Sequence, residues 1–340
     1  MEKAPIMLQA ENLVKNFGPF KAVKDISLHV RKGEILGLLG PNGAGKTTTM
    51  QMLTGFLRSD GGQVYLCGER MTEGRAGLRT RIGYLPEGAP LYPDMTVKEY
   101  LDFIAEIHGL EGEKAQQMIM SAATAVHLIG VFDQIIDTLS KGYKRRVGLA
   151  GAILHAPDVL ILDEPTDGLD PNQKYEVRRL IDTMAVDRAI IISTHILEEV
   201  EALCTRTVMI NKGQVIADST PSELKSMSQY NNAVTMLVEK EQAEHIAARL
   251  NQMRVVSHIE AIREGNDMRL TVVPVDQQEI GSRIEDMASI TGWPVSELTV
   301  ENGRLDDVFR TLTTRDPEII KKLMAEFQKK NRQDRPYEYQ

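Results

Sequence analysis

Gly40, Pro41, Asn42, Gly43, Ala44, Gly45, Lys46 and Thr47 follow the pattern G-x-x-x-x-G-K-[ST], and the chemistry of that pattern is the holding of phosphate groups. A glycine-rich turn lets main-chain N–H groups face phosphate oxygens at the start of a helix. Lys46 would bring its charge to the β and γ phosphates, and the Thr47 hydroxyl would bind Mg2+, with Thr48 beside it. Further along the chain Val159–Leu162 is an apolar run that ends in two acids, Asp163 and Glu164. At the end of a strand these would hold Mg2+ through water and polarise the water that attacks the γ phosphate, respectively. Together the two segments point to hydrolysis of a nucleoside triphosphate.

Such groups need rigid elements around them. The apolar run Ile35–Leu39 precedes the glycine turn and the segment Thr47–Leu53 follows it, which is the strand, turn and helix context the motif requires. Similar runs at Ile82–Leu85, Val159–Leu162, Ala189–Ile192 and Val208–Ile210 predict a mostly parallel sheet covered by helices. Ile6–Leu13 and Ala22–Val30 alternate like half-buried strands and predict an antiparallel side sheet. Between about residues 95 and 155 the pattern is helical, with Val97–Ile107 and Lys114–Leu128, so a helical insertion is expected there.

Past Ser219–Ser222 the pattern changes, and the polar stretch Ser226–Asn232 reads as a linker. The strands Val234–Val238, Val255–Ile262, Met268–Val273 and Val295–Val300 follow, with helices Gln242–Met253, Gln277–Thr291 and Leu305–Leu312. That β-α-β-β-α-β order predicts a small ferredoxin-like α+β unit. The expected domains are therefore a nucleotide-binding domain over 1–225, a regulatory or dimer-contact domain over 233–314, and a polar tail over 315–340.

Composition narrows the class. A chain of 340 residues exceeds what one core usually supports, and 42% hydrophobic with 26% charged residues is the make-up of a globular protein. No stretch approaches the ~18 apolar residues of a membrane span, and Met1–Pro5 lacks an apolar signal core, so a cytoplasmic location is expected. Acidic residues outnumber basic ones in both 1–220 and 221–340, which argues against a nucleic-acid partner. The basic trio Lys144, Arg145 and Arg146 reads as the polar face of a helix. Cys67 and Cys204 have no neighbouring metal-ligand spacing and read as reduced, structural thiols.

Over residues 6–220 the chain resembles the ATP-binding cassette family, the nucleotide-binding subunits of ABC transporters. Leu139, Ser140, Lys141, Gly142 and Tyr143 resemble the family signature; Asp163–Pro171 resembles the acidic strand end and D-loop; Ser193, Thr194 and His195 resemble the switch-histidine segment. The resemblance implies a P-loop fold, ATP with Mg2+, and two cassettes paired head to tail. Each ATP would lie between the phosphate loop of one chain and Ser140 and Gly142 of the other, with Asp170 at the interface. Glu164 would be the catalytic base, His195 would touch the γ phosphate, and Phe17 would stack on adenine. Glu87 stands where the family usually has glutamine; an ionised glutamate only accepts hydrogen bonds, so it is expected to contact Mg2+ or its water directly, the alternative being an exposed acid with no metal contact. Lys141 and Tyr143 are departures from the usual signature. These variants, with Pro86-Glu87, resemble the gliding-motility and multidrug-export branch of single-cassette ATPases, often paired with ABC-2 type permeases. The implied role is ATP hydrolysis by a homodimer that drives an exporter permease from the cytoplasmic face of the membrane. A soluble, non-transport ATPase of the same superfamily is the alternative.

Overall fold

The computed structural model describes residues 4–72 and 74–314, together with Ile320 and Met324. The chain divides into two compact units after Thr220. In the first, β1 (Ile6–Phe17) and β2 (Phe20–Arg31) form a long hairpin whose register closes at Phe17 opposite Phe20. Next come β3 (Ile35–Leu39), α1 (Lys46–Leu53), β4 (Gly61–Leu66), β5 (Glu69–Arg70), the single turn α2 (Ala76–Arg79) and β6 (Ile82–Leu85). Three helices follow: α3 (Val97–Ile107), α4 (Gly112–Ala125) and α5 (Lys141–Ile153). The unit ends with β7 (Val159–Asp163), α6 (Pro171–Ala185), β8 (Ala189–Thr194), α7 (Leu197–Leu203), β9 (Arg206–Asn211) and β10 (Gln214–Ser219).

The strands pair in the order β5-β4-β1-β2-β10-β9-β3-β8-β7-β6. From β9 to β6 every pairing is parallel. At the other end β1 pairs antiparallel with both β2 and β4, so the expected side sheet is present and has β4 and β5 added. Every residue of β3, β7 and β8 is buried, which is why these strands read as unbroken apolar runs rather than as alternating ones. Met50 and Leu53 of α1 join Leu36, Leu38, Ile161 and Ile191 in the same core. The glycine turn is thereby anchored between a buried strand and a packed helix.

Helix α3 begins with a capping box, in which the Thr96 side chain accepts from the Glu99 N–H while Glu99 reaches back to the Thr96 N–H. Helix α4 starts at Gly112, two residues before the expected Lys114. Ser140 caps α5, accepting a hydrogen bond from Tyr143 N at 3.4 Å. Ten of the thirteen residues of α5 are buried, so it is an interior helix. This corrects the reading of the basic trio as a polar face. Arg145 and Arg146 are 6% and 8% exposed, and Arg146 donates to Glu176 on α6 at 2.7 Å.

The second unit contains α8 (Pro221–Lys225), β11 (Asn231–Glu239), α9 (Lys240–Leu250), β12 (Val256–Glu264), β13 (Asp267–Pro274), α10 (Gly281–Thr291), β14 (Val295–Asn302) and α11 (Leu305–Thr314). Its four strands pair antiparallel in the order β12-β13-β11-β14, the arrangement of a ferredoxin-like unit. Val234, Met236, Leu270 and Val272 face Ile246, Leu250, Ile280 and Ile284 across its core. Two details differ from the sequence reading. Helix α10 starts at Gly281 rather than Gln277, because Asp276 and Gln277 both hold positive φ, 50° and 59°, which a right-handed helix cannot include. The stretch 226–232 is packed rather than a free linker: Ser228 is 1% exposed and its hydroxyl donates to Asp307 at 2.9 Å. The polar tail, Ile320 and Met324 apart, lies outside the described residues.

Candidate nucleotide site

Backbone geometry decides where the glycine turn can go. Gly40 leaves β3 against β9, and a Cβ there would lie 2.2 Å from the Ile210 carbonyl oxygen. Gly45 holds φ at 106° just ahead of α1, a conformation that L side chains rarely adopt. Lys46 opens the helix and folds back over the turn, donating to the Gly40 carbonyl at 2.7 Å. The residue as a whole is 7% exposed, and burial lowers its pKa. The charges of Glu164, Asp163 and Glu87, in that order, act the other way.

The acidic end of β7 meets the turn from the neighbouring strand positions. Asp163 is 1% exposed; Ser193 of β8 donates to its Oδ1, while its Oδ2 is buried with no hydrogen-bond partner among the described residues. A carboxylate oxygen left bare in this way fits a cation or a cation-bound water. Glu164 holds φ at 51°, and its N–H donates to the Ser193 carbonyl at 3.2 Å and to the Ser193 hydroxyl at 3.1 Å. His195 follows β8 and sets Nδ1 3.0 and 2.9 Å from the two carboxylate oxygens of Glu164. Burial raises the Glu164 pKa, and the hydrogen bond and charge of His195 partly offset it. A half-buried carboxylate of raised basicity beside an imidazole is suited to taking a proton from water.

Lys46, Glu164 and His195 border one cavity of about 450 Å3. The turn from Asn42 to Thr48 lines it, together with Glu164, His195 and Glu87. Phe17 and Phe20, 50% and 61% exposed, line it from the end of the β1–β2 hairpin. A glycine-rich phosphate turn, two aromatic rings and a carboxylate–imidazole pair bordering one cleft are suited to a nucleotide.

Known proteins agree with this reading. The sequence profile described as ABC transporter matches residues 23–167. The uncharacterized ABC transporter ATP-binding protein YxlF of Bacillus subtilis is 40% identical over 234 residues, 69% of this chain and 78% of that protein. The Nod factor export ATP-binding protein I of Paraburkholderia xenovorans is 39% identical over 218 residues, 64% of this chain and 72% of that protein. A solved ATP-binding subunit of an ABC transporter superposes with a TM-score of 0.60 at 28% identity, covering 65% of this chain and 92% of that one. The chain belongs to the ATP-binding subunits of ABC transporters. It binds ATP and hydrolyses it.

Within this ABC subunit the sequence-predicted residues fall into two groups. Asn42, Gly43, Ala44, Gly45, Lys46, Thr47, Thr48, Phe17, Glu87, Glu164 and His195 line the cavity, with Gly40, Pro41 and Asp163 behind it. Ser140, Gly142 and Asp170 are not among the described lining residues. Ser140 caps α5, Gly142 packs where a Cβ would lie 2.5 Å from the Gln173 Oε1, and Asp170 caps α6 in a box with Gln173. Sequence reasoning gave no role to Phe20, Asp167 or Ser193. Phe20 was signalled only by its nearness to Phe17, and Ser193 only by standing two residues before His195 on a buried strand.

Proposed function

We propose that two copies of this ABC subunit close head to tail on ATP and drive a membrane permease that exports its cargo. The observation that carries the reading is the half-built cavity: Lys46, Glu164 and His195 share one cleft, while Ser140, Gly142 and Asp170 lie apart from it in the same chain. A second copy would supply those three to the open side. Ser140 and the Gly142 N–H, at the start of α5, would then meet the γ phosphate. ATP would act as the bond between copies, and hydrolysis would remove it.

In each cleft Phe17 would stack on adenine, the turn amides and Lys46 would hold the phosphates, and Glu164 would orient the attacking water and accept its proton. His195 would hold the Glu164 carboxylate on one nitrogen and reach the γ phosphate with the other. Thr47, Asp163 and Glu87 would hold Mg2+, which when bound screens the negative charge of the phosphate oxygens. The bare Oδ2 of Asp163 supports that assignment. An ABC-2 type exporter is favoured by the Lys141–Tyr143 signature variant and by the export role in the names of the Nod factor relatives. No helix among the described residues is long and apolar enough to cross a membrane, so attachment to the cytoplasmic face would come through the permease. The second unit would regulate the cassettes or hold them together.

Glu164→Gln tests the core of this reading. Turnover should fall by at least about a hundredfold while ATP still binds, and an ATP-bound dimer should accumulate on gel filtration. A variant that keeps hydrolysing, or stays monomeric with ATP, overturns it.

A further inference from the structure

Arg145 sits one turn inside α5 and is 6% exposed, yet among the described residues no carboxylate forms an ion pair with it. Its guanidinium is spent entirely on main-chain carbonyls. Nη1 donates to Pro86 O at 3.0 Å, Nη2 donates to Asp163 O and to Glu164 O at 2.6 Å, and Nε donates to Pro165 O at 3.4 Å. Three of the four acceptors are consecutive, and they bracket the residue read as the base.

The carbonyl of Asp163 belongs to the peptide plane before Glu164, and the carbonyl of Glu164 to the plane after it. Holding both planes fixes φ and ψ at Glu164 together. That residue needs fixing, because its φ of 51° is uncommon for a side chain with a Cβ and persists only where the surroundings impose it. Ser193 supports the same turn from β8 through the Glu164 N–H. The Pro86 carbonyl lies in the peptide plane before Glu87, so the same side chain also fixes the backbone entering Glu87. Only a planar fork with five donors serves carbonyls on both segments at once; a lysine has one nitrogen to place.

We propose that Arg145 is the positioning residue for Glu164 and Glu87, aiming both acids into the cleft from the helix that carries the signature. Arg145 is not itself among the residues lining the cavity, and none of its hydrogen bonds goes to the phosphate loop, so it acts through the two loops it holds. The start of the same helix is clasped to the loop after Glu164 as well: Lys141 Nζ meets Asp167 at 2.9 Å, with its stem over Gly168. Both partners of that outer pair are more than half exposed, so it contributes little beside the buried guanidinium. Helix α5 thus ties Ser140, which would serve the ATP held by a partner copy, to Glu164, which serves the chain's own. This consequence rests on the proposed head-to-tail pairing.

Arg145→Gln and Arg145→Lys in the full chain test the proposal. Turnover is counted per nucleotide-binding chain, by stoichiometric titration with a fluorescent ATP analogue well below the melting midpoint, so that misfolded protein drops out. Both variants should lose at least about tenfold in kcat, while KM for ATP and the analogue's Kd stay within about threefold, because the phosphate loop is untouched. In a Glu164→Gln background the loss from Arg145→Lys should shrink to within about threefold, since of the two acids it positions only Glu87 remains. Turnover within about twofold of the parent overturns the proposal, as does nucleotide affinity that falls in step with turnover. Should Arg145→Gln not fold, Arg145→Lys decides, because it keeps the charge and removes only the fork. Failure of the underlying reading looks different: there Glu164→Gln alone leaves hydrolysis intact.

Discussion

Glu87 shows how much one atom can change at this site. It is exposed and lines the cavity, and no hydrogen bond or ion pair engages its carboxylate among the described residues. Glutamine at this position can donate as well as accept, whereas the carboxylate offers only acceptors and a full negative charge. With Glu164 in the same cleft and Asp163 behind it, that charge would make the proposed site more dependent on a cation. Glu87→Gln is therefore expected to raise the Mg2+ concentration for half-maximal turnover by about three- to tenfold while leaving the ATP analogue's Kd in place. A Mg2+ titration of ATPase activity checks this, and superimposable curves would mean that Glu87 plays no part in metal binding. Legibility at this scale follows from how local each signal is. The residues from Gly40 to Thr47 sit in a fixed spacing that backbone geometry demands, so they stand out in the bare sequence. Arg145 does not, because an arginine beside two other basic residues looks like a solvated face until tertiary packing buries it.

Between elements, the contact that should govern acid sensitivity is the meeting of α3 and α5. His108 ends α3 and His155 lies just past α5, and their rings stack with centroids 3.8 Å apart and planes 7° from parallel. His155 Nε2 lies 3.2 Å from the Ile82 carbonyl and is assigned as the donor, which leaves Nδ1 buried and without a partner. Burial lowers the pKa of both rings, and for His155 the charges of His108 and Arg188 add to it, taking it down to about 4. The unfolded chain takes the proton near pH 6.5, so the folded state binds fewer protons between that value and about 4. The stabilisation is whole above pH 6.5 and is lost as the pH falls through that window. Melting midpoints measured from pH 7.5 to 4.5 should drop more steeply for the parent than for His155→Phe, which keeps a ring against His108 and cannot be protonated. Parallel slopes would assign the acid sensitivity to other groups. The strands β3, β7 and β8 were legible because burial on both faces makes their sequences continuously apolar. The start of α10 was not, because nothing in Asp276 and Gln277 by type announces a left-handed backbone.

At the scale of the whole molecule, each unit has a hydrophobic core of its own. The first contains the ten-stranded sheet and every residue assigned to the nucleotide site, and the second closes its own core between a four-stranded sheet and α9 and α10. A domain of the first unit's size buries enough surface to stand alone. A chain ending at Thr220 should therefore fold and bind the ATP analogue with a Kd within about threefold of the full chain. Hydrolysis behaves differently if two copies must meet and the second unit helps to hold them. Loss of that contact leaves the cleft intact and weakens only the association, so specific activity should need about tenfold more protein to reach half its maximum, an association cost of about 1.4 kcal/mol. Activity measured against protein concentration for both chains separates the possibilities. A rightward shift with an unchanged plateau supports dimer contact, whereas superimposable curves remove that role and leave regulation. Failure of the truncated chain to bind nucleotide would show that the first unit depends on the second for its fold.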